Sequence, residues 1–397
     1  MKLFKYFCLL SFMASCSSEQ TPQELLSVDL RSGMDHPSML ALQDEIESVE
    51  YIPLETTADP ASLLDGVSEY AVTSNYIYVS PVKEQRIVQF DRKGQFVKTL
   101  IPFGQGPGEF SGILPCIQVD ERNDRLFLFS NNRVWEYTLE GEFIGQSTHE
   151  YSVIYMRHIG KDRFAAISFP FQPFNGGGFG LGLFSRKGDT IAIKNDFYSF
   201  LLPHEKSGFT TSIASAYSDA QNSVLFKTGS NDTVFCISAD RISAACVLDL
   251  KNSDAEVIRS LDVTDMSNLR IEKKDPKDIF VQDMIEFPAH YYFRLLYNQG
   301  YYIASVDKKT GKTFVEKCEM PGSIYELADA NLQHGMQGTR SYRNFPVWGR
   351  VIKDELVQVV TPYELNLYKS LHSITIPQEL DLKGEEGNPV FVFYSLI

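Results

Sequence analysis

Three glycines stand at equal intervals in this chain: Gly94, Gly141 and Gly188 are 47 residues apart, and Phe90, Tyr137 and Phe184 hold the same place four residues before each. Each glycine closes one phrase, made of an alternating apolar run, a short turn, a second run ending in an aromatic, and a turn leading into another short run. The clearest copy joins Tyr76–Ser80 to Arg86–Val97, the next joins Arg125–Ser130 to Arg133–Ile144, and a third ends at Leu183–Ile191. A unit of this length cannot bury its faces alone and must stack on its copies. A period of about 40 to 50 residues with four short strands per unit is the mark of a β-propeller.

Looser copies at 223–243, 301–314 and 349–394 raise the number of blades to six. The expected fold is therefore all-β: a six-bladed β-propeller with four-stranded antiparallel blades. Composition agrees, because 28 Phe and 20 Tyr against 2 Trp favour strands. An open ring would expose strand edges, and the chain carries a remedy at each end. Val49–Leu54 precedes the first full blade and can add a strand to the last, beside Val390–Tyr394. Ring closure by pairing N-terminal and C-terminal strands is thus expected, with Pro53 on the outer edge, where a missing N–H costs little.

The first residues read as an address. Lys2 and Lys5 precede an apolar run, Tyr6–Met13, too short to span a bilayer as a permanent helix. The sequence Met13-Ala14-Ser15-Cys16 that follows resembles a bacterial lipobox, which implies acylation of Cys16 and cleavage ahead of it. The expected organisation is a signal peptide over 1–15, a lipidated tether over 16–45 and the propeller over 46–397, with an insertion near 251–283. Loss of the signal takes the formal charge from −14 to −16, which argues against sequence-independent binding of nucleic acid. The expected location is the bacterial cell envelope, with the membrane as a partner through the anchor. Cys116, Cys236, Cys246 and Cys318 show no metal-ligand spacing. They read as buried thiols, with Cys236 and Cys246 the one pair close enough for a hairpin cross-link.

Between the first two copies lies Phe103-Gly104-Gln105-Gly106-Pro107-Gly108-Glu109-Phe110, followed by Pro115, Val119-Asp120 and Asn132-Arg133. These residues resemble the blade connectors of NHL-type propellers. With Tyr51–Glu55, the Asp307–Lys312 turn and Asn388-Pro389-Val390, the chain is similar over residues 45–397 to the six-bladed β-propeller lipoproteins of Bacteroidetes. The resemblance implies fold and location and no particular reaction, since NHL-like propellers include both binding scaffolds and metal-dependent enzymes. The glycine cluster itself lacks the Lys and Ser/Thr of a phosphate loop and reads as a connector.

No nucleophile elbow, HExxH motif or carboxylate cluster is present in the sequence. Innermost strands can nevertheless gather distant residues at a channel mouth. The candidate ligand-binding residues are Arg157 and His158 in blade three, His290, Tyr291, Tyr292 and Arg294 in blade five, and Trp348 in blade six. The aromatic, glycine-rich stretch 169–180 could add a lip. Two functions follow: a non-enzymatic scaffold binding a glycan, peptide or partner protein without a cofactor, or a hydrolase or lyase using Ca²⁺ or Zn²⁺ in the channel.

Overall fold

A computed structural model describes residues 25–35, 45–111, 116–167, 180–194, 216–250, 279–318, 350–366 and 387–397, apart from single positions and short gaps within them. Near the N-terminus lie β1 (Leu26–Val28), helix α1 (Leu30–Asp35) and β2 (Ile46–Pro53). Blade one follows as β3 (Val67–Val72), β4 (Tyr76–Pro81), β5 (Ile87–Asp91) and β6 (Phe96–Ile101). Blade two is β7 (Cys116–Asp120), β8 (Arg125–Ser130), β9 (Arg133–Tyr137) and β10 (Phe143–Thr148). Blade three is β11 (Tyr155–His158), β12 (Arg163–Ile167), β13 (Leu181–Ser185) and β14 (Thr190–Lys194). Blade four is β15 (Ala216–Ala220), β16 (Ser223–Lys227), β17 (Thr233–Ser238) and β18 (Ile242–Leu248). Blade five is β19 (Phe280–Glu286), β20 (His290–Tyr297), β21 (Gly300–Asp307) and β22 (Thr313–Cys318).

Blade six is completed from both ends of the chain. Its strands β23 (Arg350–Ile352), β24 (Glu355–Val360) and β25 (Val390–Leu396) accept β2 as the outermost member, antiparallel to β25. Tyr51 lies opposite Val392 and Pro53 opposite Val390, so the proline sits on the free edge as expected. Residues around 365, read as part of a sixth copy, are helical instead, with Leu365 N donating to Thr361 O at 3.0 Å.

Every seam between blades holds its own apolar cluster. Ile52, Val357 and Phe391 of blade six meet Ile77, Val88 and Phe90 of blade one, and Tyr78 and Ile101 of blade one meet Leu128 and Trp135 of blade two. The same pattern recurs around the ring. This is the physical basis of the 47-residue step. The turn between third and fourth strands takes a positive φ at its glycine, +82° at Gly94, +90° at Gly141 and +96° at Gly188. A Cβ there would lie 2.2 Å from Pro53 O, 2.9 Å from Leu100 O and 3.1 Å from Thr148 O respectively, each on the outermost strand of the preceding blade. The glycine is therefore required twice, by backbone conformation and by the approach of two blades.

Part of the stretch expected to be a tether packs on the ring. Strand β1 pairs in parallel with β18, making blade four five-stranded, and Val28, Leu30 and Met34 are buried between blades four and five. Asp249 N donates to Val28 O at 2.7 Å, and Gly33 lies so close to Val315 that a Cβ would meet its side chain at 2.5 Å. The insertion read near 251–283 falls outside the described residues up to 278, and its last residues belong to β19, the innermost strand of blade five. Cys236 and Cys246 are free: Cys236 stands opposite Ser243 and Cys246 opposite Val234.

Candidate functional site

The innermost strands end in short turns around a cavity of about 690 Å³. Its wall is built from Tyr70–Val72, Ile117–Arg122, Arg157–Gly160 and Arg350–Asp354, with Ser223 and Val224 completing it. Five blades thus place residues together that the sequence separates by hundreds of positions.

Arg157 and His158 are both there, at the exit of β11 rather than at its start. The Arg157 guanidinium lies over the Tyr155 ring, 4.9 Å from its centroid, donates to the Tyr155 hydroxyl, and reaches Ile117 O at 3.3 Å. The His158 ring stacks on Phe127 at 5.1 Å, with Nε2 3.8 Å from an Asp120 oxygen. Burial lowers its pKa, and the Asp120 charge works in the opposite direction.

Sequence reasoning missed the other charged groups at this cavity. Arg350 pairs with Glu69 at 2.6 Å, donates to Tyr70 O at 3.1 Å and covers the Tyr70 ring. The Tyr70 hydroxyl donates to Val357 O at 2.9 Å, and burial pushes its pKa up to about 12. Blades one and six are joined here across the closing seam. Glu121 of blade two accepts from Ser74 N of blade one at 2.8 Å and pairs with Lys353 of blade six at 2.7 Å. Burial would raise the Glu121 pKa, but these hydrogen bonds outweigh it and hold the carboxyl below its usual range. Nothing in the local sequence distinguishes Glu121 or Lys353 from ordinary turn residues, so only the ring geometry reveals them.

The blade-five candidates lie elsewhere. The innermost strand of that blade is β19, within the stretch read as an insertion, so His290, Tyr291, Tyr292 and Arg294 fall on the second strand, β20. Successive strand residues point to opposite faces. Tyr291 accordingly packs toward blade four, while Tyr292 is buried toward blade six against Phe287 and hydrogen-bonds to Glu45. His290 Nδ1 is 3.0 Å from the Glu45 carboxylate, and Arg294 pairs in register with Asp283 and Ile303. This group ties β20 to the start of the closing strand and does not line the cavity. Trp348 and the stretch 169–179 fall outside the described residues.

The glycine-rich phrase is a connector. Gly104 N donates to Phe110 O at 2.9 Å, and the Glu109 carboxylate folds back to accept from Gly106 N at 2.8 Å. Phe110 is buried edge-on against Trp135, 4.8 Å between centroids, so the loop plugs the seam of blades one and two. A groove of about 840 Å³ opens between blades two and three around Glu136, which is gripped by Arg186 (Nε to Oε2, 3.0 Å) and Arg125 (2.7 Å). Among the described residues, no group of three or more His, Cys, Asp or Glu side chains could hold a metal ion.

One solved structure supports the architecture. A Bacteroides fragilis protein described as exported superposes with a TM-score of 0.63 at 16% identity, covering 94% of this chain and 99% of that one. PorZ, a surface component of the type-IX secretion system of Porphyromonas gingivalis, matches at 10% identity and a TM-score of 0.37 over 76% of this chain and 31% of its own. No curated protein matches the chain. A family model does, over residues 25–395, a span that takes in the docked N-terminal strand and all six blades. The chain belongs to the family described as the domain of unknown function DUF4934.

Proposed function

We propose that the protein is an envelope lipoprotein, anchored through Cys16, whose ring is a non-enzymatic scaffold binding a glycan, a peptide or a partner protein at the channel mouth. One observation carries the reading. Two ion pairs around the 690 Å³ cavity cross blade boundaries, Arg350 with Glu69 and Lys353 with Glu121. Such pairs fix the shape of a concave surface in advance, which limits the ordering cost of binding. Exposed Arg122 and Lys353 and the mostly buried Asp120 then offer polar contacts at the rim. The lipobox-like residues 13–16 support the location, and the connector at 103–110 supports an NHL-like lineage.

The test is a glycan array, together with cross-linking capture from envelope extracts, using the mature chain and an R122E/K353E variant. Saturable binding that the variant loses supports the reading. Turnover of an envelope polymer without stable binding overturns it.

A further inference from the structure

The place where the chain leaves the ring is fixed. Leu25 is exposed, and from Leu26 onward the backbone is clamped between β18 and the turn before β22, with Arg31 donating to Leu250 O at 2.8 Å. Leu25 follows Cys16 by nine residues, so even a fully extended tether reaches about 30 Å. A compact chain of this length is about 55 Å across. A ring held at Cys16 therefore keeps the seam of blades four and five near the bilayer, and the opposite rim away from it.

The residue after the glycine at that exit differs from its counterparts. The turn that touches Leu26 is Asp307-Lys308-Lys309-Thr310-Gly311-Lys312, with Gly311 at φ +73° and its Cβ position 2.9 Å from the Leu26 side chain. In the equivalent turns the residue after the glycine is Gln95, Glu142 or Asp189, and here it is Lys312. Asp307 stays ionised in this turn, one of its oxygens accepting from Lys309 N at 3.0 Å, Thr310 N at 2.6 Å and Thr310 Oγ1 at 2.8 Å, and so offsets one of the cations. Lys308 turns inward to Glu286 at 2.6 Å, which leaves Lys309 and Lys312 exposed. Beside them Phe314 is 38% exposed, with the Lys312 ammonium 4.6 Å from its ring centroid. A chain of net charge −14 thus places cations and an open aromatic at the one edge its tether holds down.

We infer that the edge formed by Leu25, Lys309, Lys312 and Phe314 is a membrane-facing surface that rests on anionic lipid headgroups. It rests on the lipid-anchor reading given above. Exposed lysines attract an anionic surface, and an aromatic with a cation at its edge suits the headgroup layer. The ring would then stand on this edge, with the channel mouth at a set angle to the membrane.

The test reconstitutes the lipidated full-length mature protein in vesicles containing phosphatidylglycerol and reads amide hydrogen exchange against the same protein in neutral detergent. The expected result is protection of residues 309–314 and of Leu25–Ser27, with residues 94–98 and 141–145 unchanged. A K309A/K312A variant, which loses about 25-fold in surface attraction, should still float with the vesicles through its acyl chains and lose that protection. Floating protein with no protection at 309–314, or with protection at 94–98 instead, overturns the edge and leaves the anchor standing. An N-terminal peptide without acyl mass on Cys16 removes both.

Discussion

Replacing the seam glycines one at a time measures how closely the blades are pressed together. In Gly94→Ala the new Cβ would stand 2.2 Å from Pro53 O, on the strand that closes the ring, at a residue whose φ is +82°. A left-handed conformation costs a non-glycine residue about 1–2 kcal/mol. Forcing two backbones apart adds about 1–3 kcal/mol. The loss of unfolded-state freedom gives back about 0.4–1 kcal/mol, so the net loss should be about 1–4.5 kcal/mol, centred on about 3 kcal/mol. The shift also strains the bond from Glu55 N to Gly94 O, now 2.7 Å. Gly188→Ala shares the positive φ, but its nearest contact is 3.1 Å, and it should lose only about 1 kcal/mol. Gly145→Ala meets nothing within 4 Å at an ordinary φ and should stay within about 0.5 kcal/mol of the parent. Urea unfolding followed by fluorescence of the buried Trp135 gives the midpoints. A Gly94→Ala midpoint equal to that of Gly145→Ala, or a Gly188→Ala protein less stable than Gly94→Ala, would refute the account.

Three further outcomes follow from the same geometry. His149 is buried against Phe164 and Phe184, and burial pushes its pKa down to about 4; the folded state then binds fewer protons than the unfolded one between pH 6.5 and 4, so stability should fall by up to about 3 kcal/mol as pH drops through that window. His149→Phe should flatten this slope in acid-range melting curves. Ile52→Ala empties part of the cluster shared with Val357 and Phe391 and should cost about 2–5 kcal/mol, read by urea midpoint. Alkylation under denaturing, non-reducing conditions should modify both Cys236 and Cys246, and a mass showing the two peptides cross-linked would contradict their separate registers.

The parts of the fold that could be read from sequence are those governed by a repeated physical demand. A glycine is needed wherever a third-to-fourth-strand turn meets the previous blade, so Gly94, Gly141 and Gly188 announce the ring. Pro53 betrays a free strand edge for a similar reason. Strand β1 and helix α1 answer no repeated demand, since they occur once, and eleven described residues at Leu25–Asp35 carry too little pattern to reveal their docking. The site was half legible. Arg157 and His158 stand out as a polar pair ending an apolar strand, whereas Glu69, Glu121 and Lys353 acquire a role only when blades one, two and six converge. His290–Arg294 was assigned to the channel because the charged stretch before it hid β19, and one unseen strand displaces every later residue of the blade outward.

The closing strand also sets an order of events. Ser48 of β2 meets Ser395 of β25 across 347 positions, their hydroxyls 3.0 Å apart. Blades one, two, three and five, and the four consecutive strands of blade four, each come from one continuous stretch of chain. Blade six does not, because β2 arrives first and waits with an unpaired edge until β25 follows. The ring thus stays open, and β2 exposed to proteases and strand exchange, until Val390–Leu396 is in place.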